Sequence, residues 1–254
     1  MRRSGERRIA LLMGSFNPVH GGHLAVARYV LERELAEEVW MVVSPQNPLK
    51  SPEELAPFED RLEMVRLALE EIGEARLRVC DVERDLPYPF YTIHTIEYLQ
   101  RLYPDMVFTI LAGSDIAAQL PRWHRSEELQ RRVRFLFYPR GGGAASPEMA
   151  QAPQFEIDST SIRRALAAGE TLAEGVVPAV VEAYTRERGL YGAGVSADFY
   201  FERGRSYYRQ NDFGRALNDF NRALELEPGH TAAREMRDMT EAIFNFRNFD
   251  LYNP

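Results

Sequence analysis

The chain has 254 residues and a formal net charge of −7, with 45% hydrophobic and 27% charged residues. Such a composition is that of a globular protein long enough to bury a core without staples. Its one cysteine, Cys80, excludes a disulfide framework and a cysteine-built zinc site. The acidity argues against nucleic acid as a partner. No apolar run approaches the ~18 residues of a membrane span, and the run after the Arg-rich opening covers only residues 9–13, too short for a signal peptide. A cytoplasmic protein without a membrane partner is expected.

Residues 8–13 form a short apolar run closed by Gly14, the pattern of a buried strand, and helical spacing follows over residues 22–35. A second strand is predicted at 39–43. A helix is predicted at 60–72, with Leu62, Val65, Leu69 and Ile72 on one face. Strands at 77–79, 107–111 and 133–138 continue the pattern, with helices at 93–101, 159–168 and 178–188. Apolar strands alternating with amphipathic helices predict an α/β domain over residues 8–190. Its core would be a Rossmann-like, doubly wound parallel sheet with its sites in loops beyond the carboxyl ends of the strands. Residues 141–146, Gly-Gly-Gly-Ala-Ala-Ser, read as a flexible surface loop, and the glycines of 189–194 as a linker.

Residues 197–254 read as helices alone. Counted from Ala197, Tyr200, Gly204, Tyr207, Ala216, Phe220, Ala223 and Pro228 fall at the spacing of a 34-residue tetratricopeptide repeat, with Arg203 where that pattern has leucine. A small all-α unit over 197–254 is expected, closed by a capping helix at 230–247 that uses Met236, Met239, Ile243 and Phe246. One repeat cannot bury its own faces. That leaves cover by the first domain, by self-association or by a protein partner.

The loop after the first strand reads Gly14-Ser15-Phe16-Asn17-Pro18-Val19-His20-Gly21-Gly22-His23. Glycines let backbone amides approach an anion, and a helix start favours negative charge. Two imidazoles there can donate to phosphate oxygens. A tight turn with a capping histidine fits the same residues. Lys50, the one lysine among 31 basic residues, follows the second strand in a loop stiffened by Pro45 and Pro48. A lysine there is a flexible point charge, where an arginine would be a rigid fork.

Residues 14–23 resemble the signature of the nucleotidyltransferase superfamily with the His-x-Gly-His motif. Within it, residues 8–190 resemble the nicotinate-nucleotide adenylyltransferases of NAD synthesis. The resemblance implies transfer of the adenylyl group of ATP to nicotinate mononucleotide, with pyrophosphate leaving and Mg²⁺ as cofactor, its ligands unassigned. It assigns His20 and His23 to the phosphates and makes Gly14, Ser15 and Phe16 part of the same cradle. It makes Lys50 a phosphate ligand, with Leu49 where many members have histidine. Tyr91-Thr92-Ile93-His94-Thr95 resembles the segment whose threonine amide binds the nicotinate carboxylate, which falls on Thr92. Phe90 and His94 replace a serine and an aspartate of that pattern.

Further along, Gly113-Ser114-Asp115-Ile116 resembles Gly-Ser/Ala-Asp-Asn, which implies that Asp115 contacts the mononucleotide's ribose region or a site water. Pro121-Arg122-Trp123-His124 resembles the segment whose tryptophan stacks on the pyridine ring. Trp123 would take that role, with the amide of His124 on the carboxylate. Ile157-Asp158-Ser159-Thr160-Ser161-Ile162-Arg163 resembles a helix start that binds the triphosphate of ATP through Ser159, Thr160 and Arg163. There Asp158 replaces a serine, as a repelling charge or as a cap. Phosphopantetheine or nicotinamide-mononucleotide adenylyl transfer is the alternative within the same fold. A non-catalytic scaffold carrying the repeat is the alternative outside it.

Overall fold

The computed structural model describes residues 6–46, 55–155, 157–192 and 197–250, with side chains up to 243 in the last segment. The chain divides into two compact units, Met1–Thr185 and Arg186–Pro254, a little before the end at 190 expected from the sequence. Of the expected linker, residues 193–196 lie outside the described residues.

In the first unit, strands β1 (Arg7–Gly14), β2 (Glu38–Val43), β3 (Leu77–Cys80), β4 (Met106–Gly113) and β5 (Arg134–Tyr138) form one sheet in the order β3-β2-β1-β4-β5. Every pairing is parallel. The chain winds outward from β1 through β2 and β3, then crosses to the other side of β1 for β4 and β5. That reversal is a topological switch point, and in such sheets the crevice beyond the two strands there receives the ligand. Leu12 of β1 pairs with Leu111 of β4. Gly14 and Gly113, two residues further along each strand, therefore leave the sheet at one level. Ile9, Leu11, Val42, Ile93, Ile96, Phe108 and Ile110 make one continuous apolar cluster with Trp40. The near-continuous apolar strands are explained by helices covering the sheet.

Helices α1 (Gly21–Glu32), α2 (Phe58–Ile72), α3 (Thr92–Leu102), α5 (Ser159–Ala167) and α6 (Ala179–Glu187) fall where the periodicity placed them. Helix α4 (Ser126–Arg132) was not foreseen. Its sequence, Ser-Glu-Glu-Leu-Gln-Arg-Arg, turns only Ser126 and Leu129 inward, which leaves no apolar period to read. It is fixed by tertiary contact, the Ser126 hydroxyl donating to Leu120 O at 2.5 Å.

In the second unit, α7 (Ala197–Arg209), α8 (Phe213–Leu226) and α9 (Thr231–Asp250) follow one another. Tyr200, Tyr207, Ala216, Phe220 and Ala223 are buried, as the repeat spacing predicts. A Cβ on Gly204 would lie 2.7 Å from the Phe220 ring, so only glycine permits this approach of α7 to α8. Arg203 replaces the usual leucine by a forked pair with Asp219, two bonds of 2.7 Å, and lies over the rings of Phe199 and Tyr200. The capping helix differs from expectation. Among its described side chains Ala233 and Thr240 are buried and Met236 packs on the Phe220 cluster, whereas Met239 is 45% exposed. The side chain of Phe246 lies outside the described residues.

Candidate active site

The loop leaving β1 turns at Asn17–Pro18 and is fixed by contacts with neighbouring segments. Phe16 takes a left-handed φ of 45° while almost fully buried, a conformation that surrounding packing must enforce. Asn17 Oδ1 accepts from Ala56 N at 2.9 Å. The chain then enters α1 at Gly21, whose N–H donates to Val176 O at 2.8 Å. A Cβ on Gly21 would sit 2.1 Å from Gly175 O, so no other residue fits. His20 and His23 are thereby brought ring to ring, 3.7 Å between centroids. The His20 N–H donates to His23 Nδ1 at 3.3 Å, which sets the proton of a neutral His23 on Nε2. His20 is buried, and its Nδ1 has no hydrogen-bond partner. Burial first, and the charge of Arg140 second, lower its pKa to about 4, against an opposing pull from Asp158. His20 is therefore a neutral hydrogen-bonding ring at pH 7.

Helix α5 starts against this loop. Ser159 Oγ donates to Pro18 O at 3.2 Å and Arg163 Nη1 to Asn17 O at 3.1 Å. The sequence left Asp158 open between cap and repelling charge, and it caps: Oδ1 accepts from Thr160 N at 2.8 Å and Ser161 N at 2.9 Å. The Thr160 amide expected for ATP is thus engaged within the chain.

Beyond β4 and β5 a second group forms. Ser114 Oγ donates to Arg140 O at 2.7 Å and accepts from Arg140 N at 2.9 Å. The Arg140 guanidinium lies 3.7 Å from Asp115 Oδ2, while Asp115 Oδ1 is buried without a hydrogen-bond partner. The glycine loop at 141–146 is exposed over 141–144, as expected of a surface loop, and is anchored at its far end. A Cβ on Gly143 would lie 2.4 Å from Ser114 O, and Ser146 exchanges two hydrogen bonds with the Phe137 backbone.

Of the residues expected around a pyridine ring, His124 lies among aromatic neighbours of the α3 segment, and Trp123 packs beside Phe135. The rings of Tyr91 and His124 stack at 4.3 Å, and His94 stands edge-on to both at 5.7 Å. Trp123 is half-buried, its ring 6.4 Å from Phe135. Thr92 is the first residue of α3; Tyr91 holds the cap position.

Two residues that position these loops were not singled out from the sequence. Arg61 of α2 is 1% exposed. It donates to the carbonyls of Ser15 (2.8 Å), Ser44 (2.6 Å), Pro45 (2.6 Å) and Ala56 (2.9 Å). It thus ties the loop after β1 to the one after β2. Glu83, also buried, accepts from Thr95 Oγ1 at 2.8 Å, and burial pushes its carboxyl pKa up. No local pattern marks either one; an arginine three residues after the first residue of α2 is the sequence trace of Arg61. Lys50 lies outside the described residues. Among those described, no three His, Cys, Asp or Glu side chains converge as a metal site, and no helix is long and apolar enough to cross a membrane.

The Cytidylyltransferase-like family matches residues 11–165, and the Tetratricopeptide repeat matches 197–230. A Bacteroides thetaiotaomicron protein named "Probable nicotinate-nucleotide adenylyltransferase" is 46% identical over 173 residues, 65% of this chain and 85% of the relative. One of the same name from Bacteroides fragilis is 43% identical over 182 residues, 69% of this chain and 90% of the relative. The chain belongs to the nicotinate-nucleotide adenylyltransferase family. The fold agrees. The structure of Plasmodium falciparum nicotinic acid mononucleotide adenylyltransferase complexed with NaAD superposes with a TM-score of 0.60 at 18% identity, covering 73% of this chain and 97% of that one. In this family member the His loop, α5 and the Asp115–Arg140 pair surround the β1/β4 switch point, and a tetratricopeptide repeat follows.

Proposed function

We propose that this chain transfers the adenylyl group of ATP to nicotinate mononucleotide, giving nicotinic acid adenine dinucleotide and pyrophosphate in NAD synthesis. The observation that carries this is the convergence of His20, His23 and Arg163 on one loop at the switch point, in a chain 46% identical to a relative of that name. The mononucleotide phosphate attacks the α-phosphorus in line and pyrophosphate leaves. Catalysis of such a step is positioning plus stabilisation of spreading negative charge. Neutral His20 and the Nε2–H of His23 suit donation to phosphate oxygens, which costs no charge burial when the site is empty. Arg163, with Lys50 from the neighbouring loop, supplies the positive charge. Gly14, Ser15 and Phe16 wall the cradle, and Ser159 and Thr160 line it from α5.

At the other end we assign Trp123 to stacking on the pyridinium, whose electron-poor ring suits an indole face. Thr92 and His124 take its carboxylate and Asp115 the ribose region. Mg²⁺ would arrive on the phosphates of ATP, as small hard cations do; the lack of a carboxylate cage among the described residues fits that route. Bound there, it neutralises phosphate charge. A cytoplasmic setting follows from the use of ATP. Pyrophosphate release, measured with ATP and one acceptor at a time, tests the assignment. Turnover with nicotinate mononucleotide at least tenfold above nicotinamide mononucleotide or phosphopantetheine is expected. Equal turnover with another acceptor, or none with any, overturns it.

A further inference from the structure

A helix start carries unpaired amides and a partial positive charge, and so favours an anion. The start of α5 is anchored to the His20 loop through Ser159 on Pro18 O and Arg163 on Asn17 O. In this chain the anion at that start is its own. Asp158 Oδ1 accepts from the amides of Thr160 and Ser161 at 2.8 and 2.9 Å, and Oδ2 accepts from Ser161 Oγ at 2.9 Å. These bonds, the Ser161 amide foremost, hold its carboxyl below the usual range, so it is ionised at neutral pH. Its charge is felt at His20, where it opposes that of Arg140. A polyphosphate approaching the two imidazoles therefore meets a helix start whose Thr160 and Ser161 amides are already engaged by a carboxylate.

We propose that Asp158 is a specificity-determining residue for the polyphosphate: an internal carboxylate that holds the start of α5 in place of a phosphate oxygen and weakens the binding of ATP and pyrophosphate. The inference rests on the adenylyl-transfer function proposed above. Arg163, Lys50 and the imidazoles are then left as the main phosphate contacts, and the leaving pyrophosphate is held loosely. Capping and repulsion are one device here. The carboxylate that satisfies the helix is the charge that competes with the ligand.

The test uses the full chain and two substitutions. Asp158→Ser removes the charge and leaves a small hydroxyl that can still cap; Asp158→Asn keeps a capping oxygen without the charge. Calorimetric titration with inorganic pyrophosphate, at fixed Mg²⁺ and salt, should give a Kd about tenfold lower for Asp158→Ser, the scale of one charge-assisted hydrogen bond gained. Asp158→Asn should show a smaller fall in the same direction. The KM for ATP should fall in parallel, while that for nicotinate mononucleotide moves less than about twofold. If Asp158→Ser loses stability, the Asn variant carries the test, since its cap is intact. A wild type that turns over, with neither variant binding pyrophosphate more tightly, overturns the role of Asp158 alone. A wild type without adenylyl transfer overturns the proposed function and this inference together.

Discussion

Each unit of the chain contains a nearly buried arginine, and the two are used in different ways. Arg61 spends its donors on backbone carbonyls of the loops after β1 and β2. The fork itself fixes where the loops run. Arg203 instead faces one carboxylate, Asp219, on the adjacent helix. It fills space that a leucine fills in the repeat pattern, and gains register between α7 and α8 rather than loop shape. A buried cation thus serves a site in one unit and a helix pair in the other. The difference lies in what it mainly bonds: Arg61 takes carbonyls of two loops, whereas Arg203 forks onto Asp219 and adds one longer bond of 3.3 Å to Arg188 O. The glycines divide likewise: Gly21 admits a neighbouring backbone to the site, Gly204 a neighbouring ring to a core.

If catalysis belongs to the first unit, the largest effect should come from its imidazoles. His23→Ala should lower kcat at least ~100-fold, the usual scale for losing a transition-state donor, with ATP affinity changing much less. Near-normal turnover in steady-state assays would remove His23 from the chemistry. Arg61→Met should come next, because four carbonyl contacts are lost and two loops are released. A loss of ~3 kcal/mol in urea unfolding is expected, with kcat/KM down at least tenfold under conditions where the variant stays folded. The matching change in the second unit, Arg203→Leu, should leave turnover within about twofold.

Trp123→Ala should raise the KM for nicotinate mononucleotide about tenfold, in line with the 1–3 kcal/mol of aromatic stacking on a base, and that for ATP much less. Equal effects on both would make Trp123 a core residue. Acid should act through His20. Its pKa of about 4 in the folded chain, against 6.5 for the free side chain, means that the unfolded chain binds the proton first. The stability from keeping the ring neutral is present above about pH 6.5 and is lost as pH falls toward 4. Between pH 7 and pH 5 this group alone should remove about 2 kcal/mol, and His20→Asn should lose that part of the acid sensitivity in denaturant titrations. Ending the chain at Gly192 should, like Arg203→Leu, have little effect on chemistry. No site residue lies beyond it, so kcat should stay within a few-fold, whereas mass by light scattering should change if the repeat mediates self-association.

Much of this was legible in the sequence, for stated physical reasons. The central strands β1 and β2, buried on both faces, write themselves as apolar runs, and the His loop is marked by glycines and histidines that a plain strand-to-helix turn does not need. The repeat is marked by small and aromatic residues at fixed spacing. Arg61 and Glu83 were not legible, because their partners are backbone carbonyls and a hydroxyl brought up by tertiary structure. Arg140 stands beside an exposed glycine run, and only the close approach of Gly143 to Ser114 O shows that this run passes the Ser114–Arg140 contact. Helix α4 turns too few apolar residues inward to show a period, and Asp158 could be settled only by the two amides it accepts.

The central claim is that the imidazoles of the His loop and Arg163 receive phosphates while Trp123 receives the pyridine ring. A crystal structure of the full chain with nicotinic acid adenine dinucleotide tests it most directly. The pyrophosphate bridge of that product should lie within hydrogen-bond reach of His20 or His23, beyond β1, with the pyridine ring against the indole of Trp123. A bridge seated away from both imidazoles, or a pyridine ring on another surface, would contradict it.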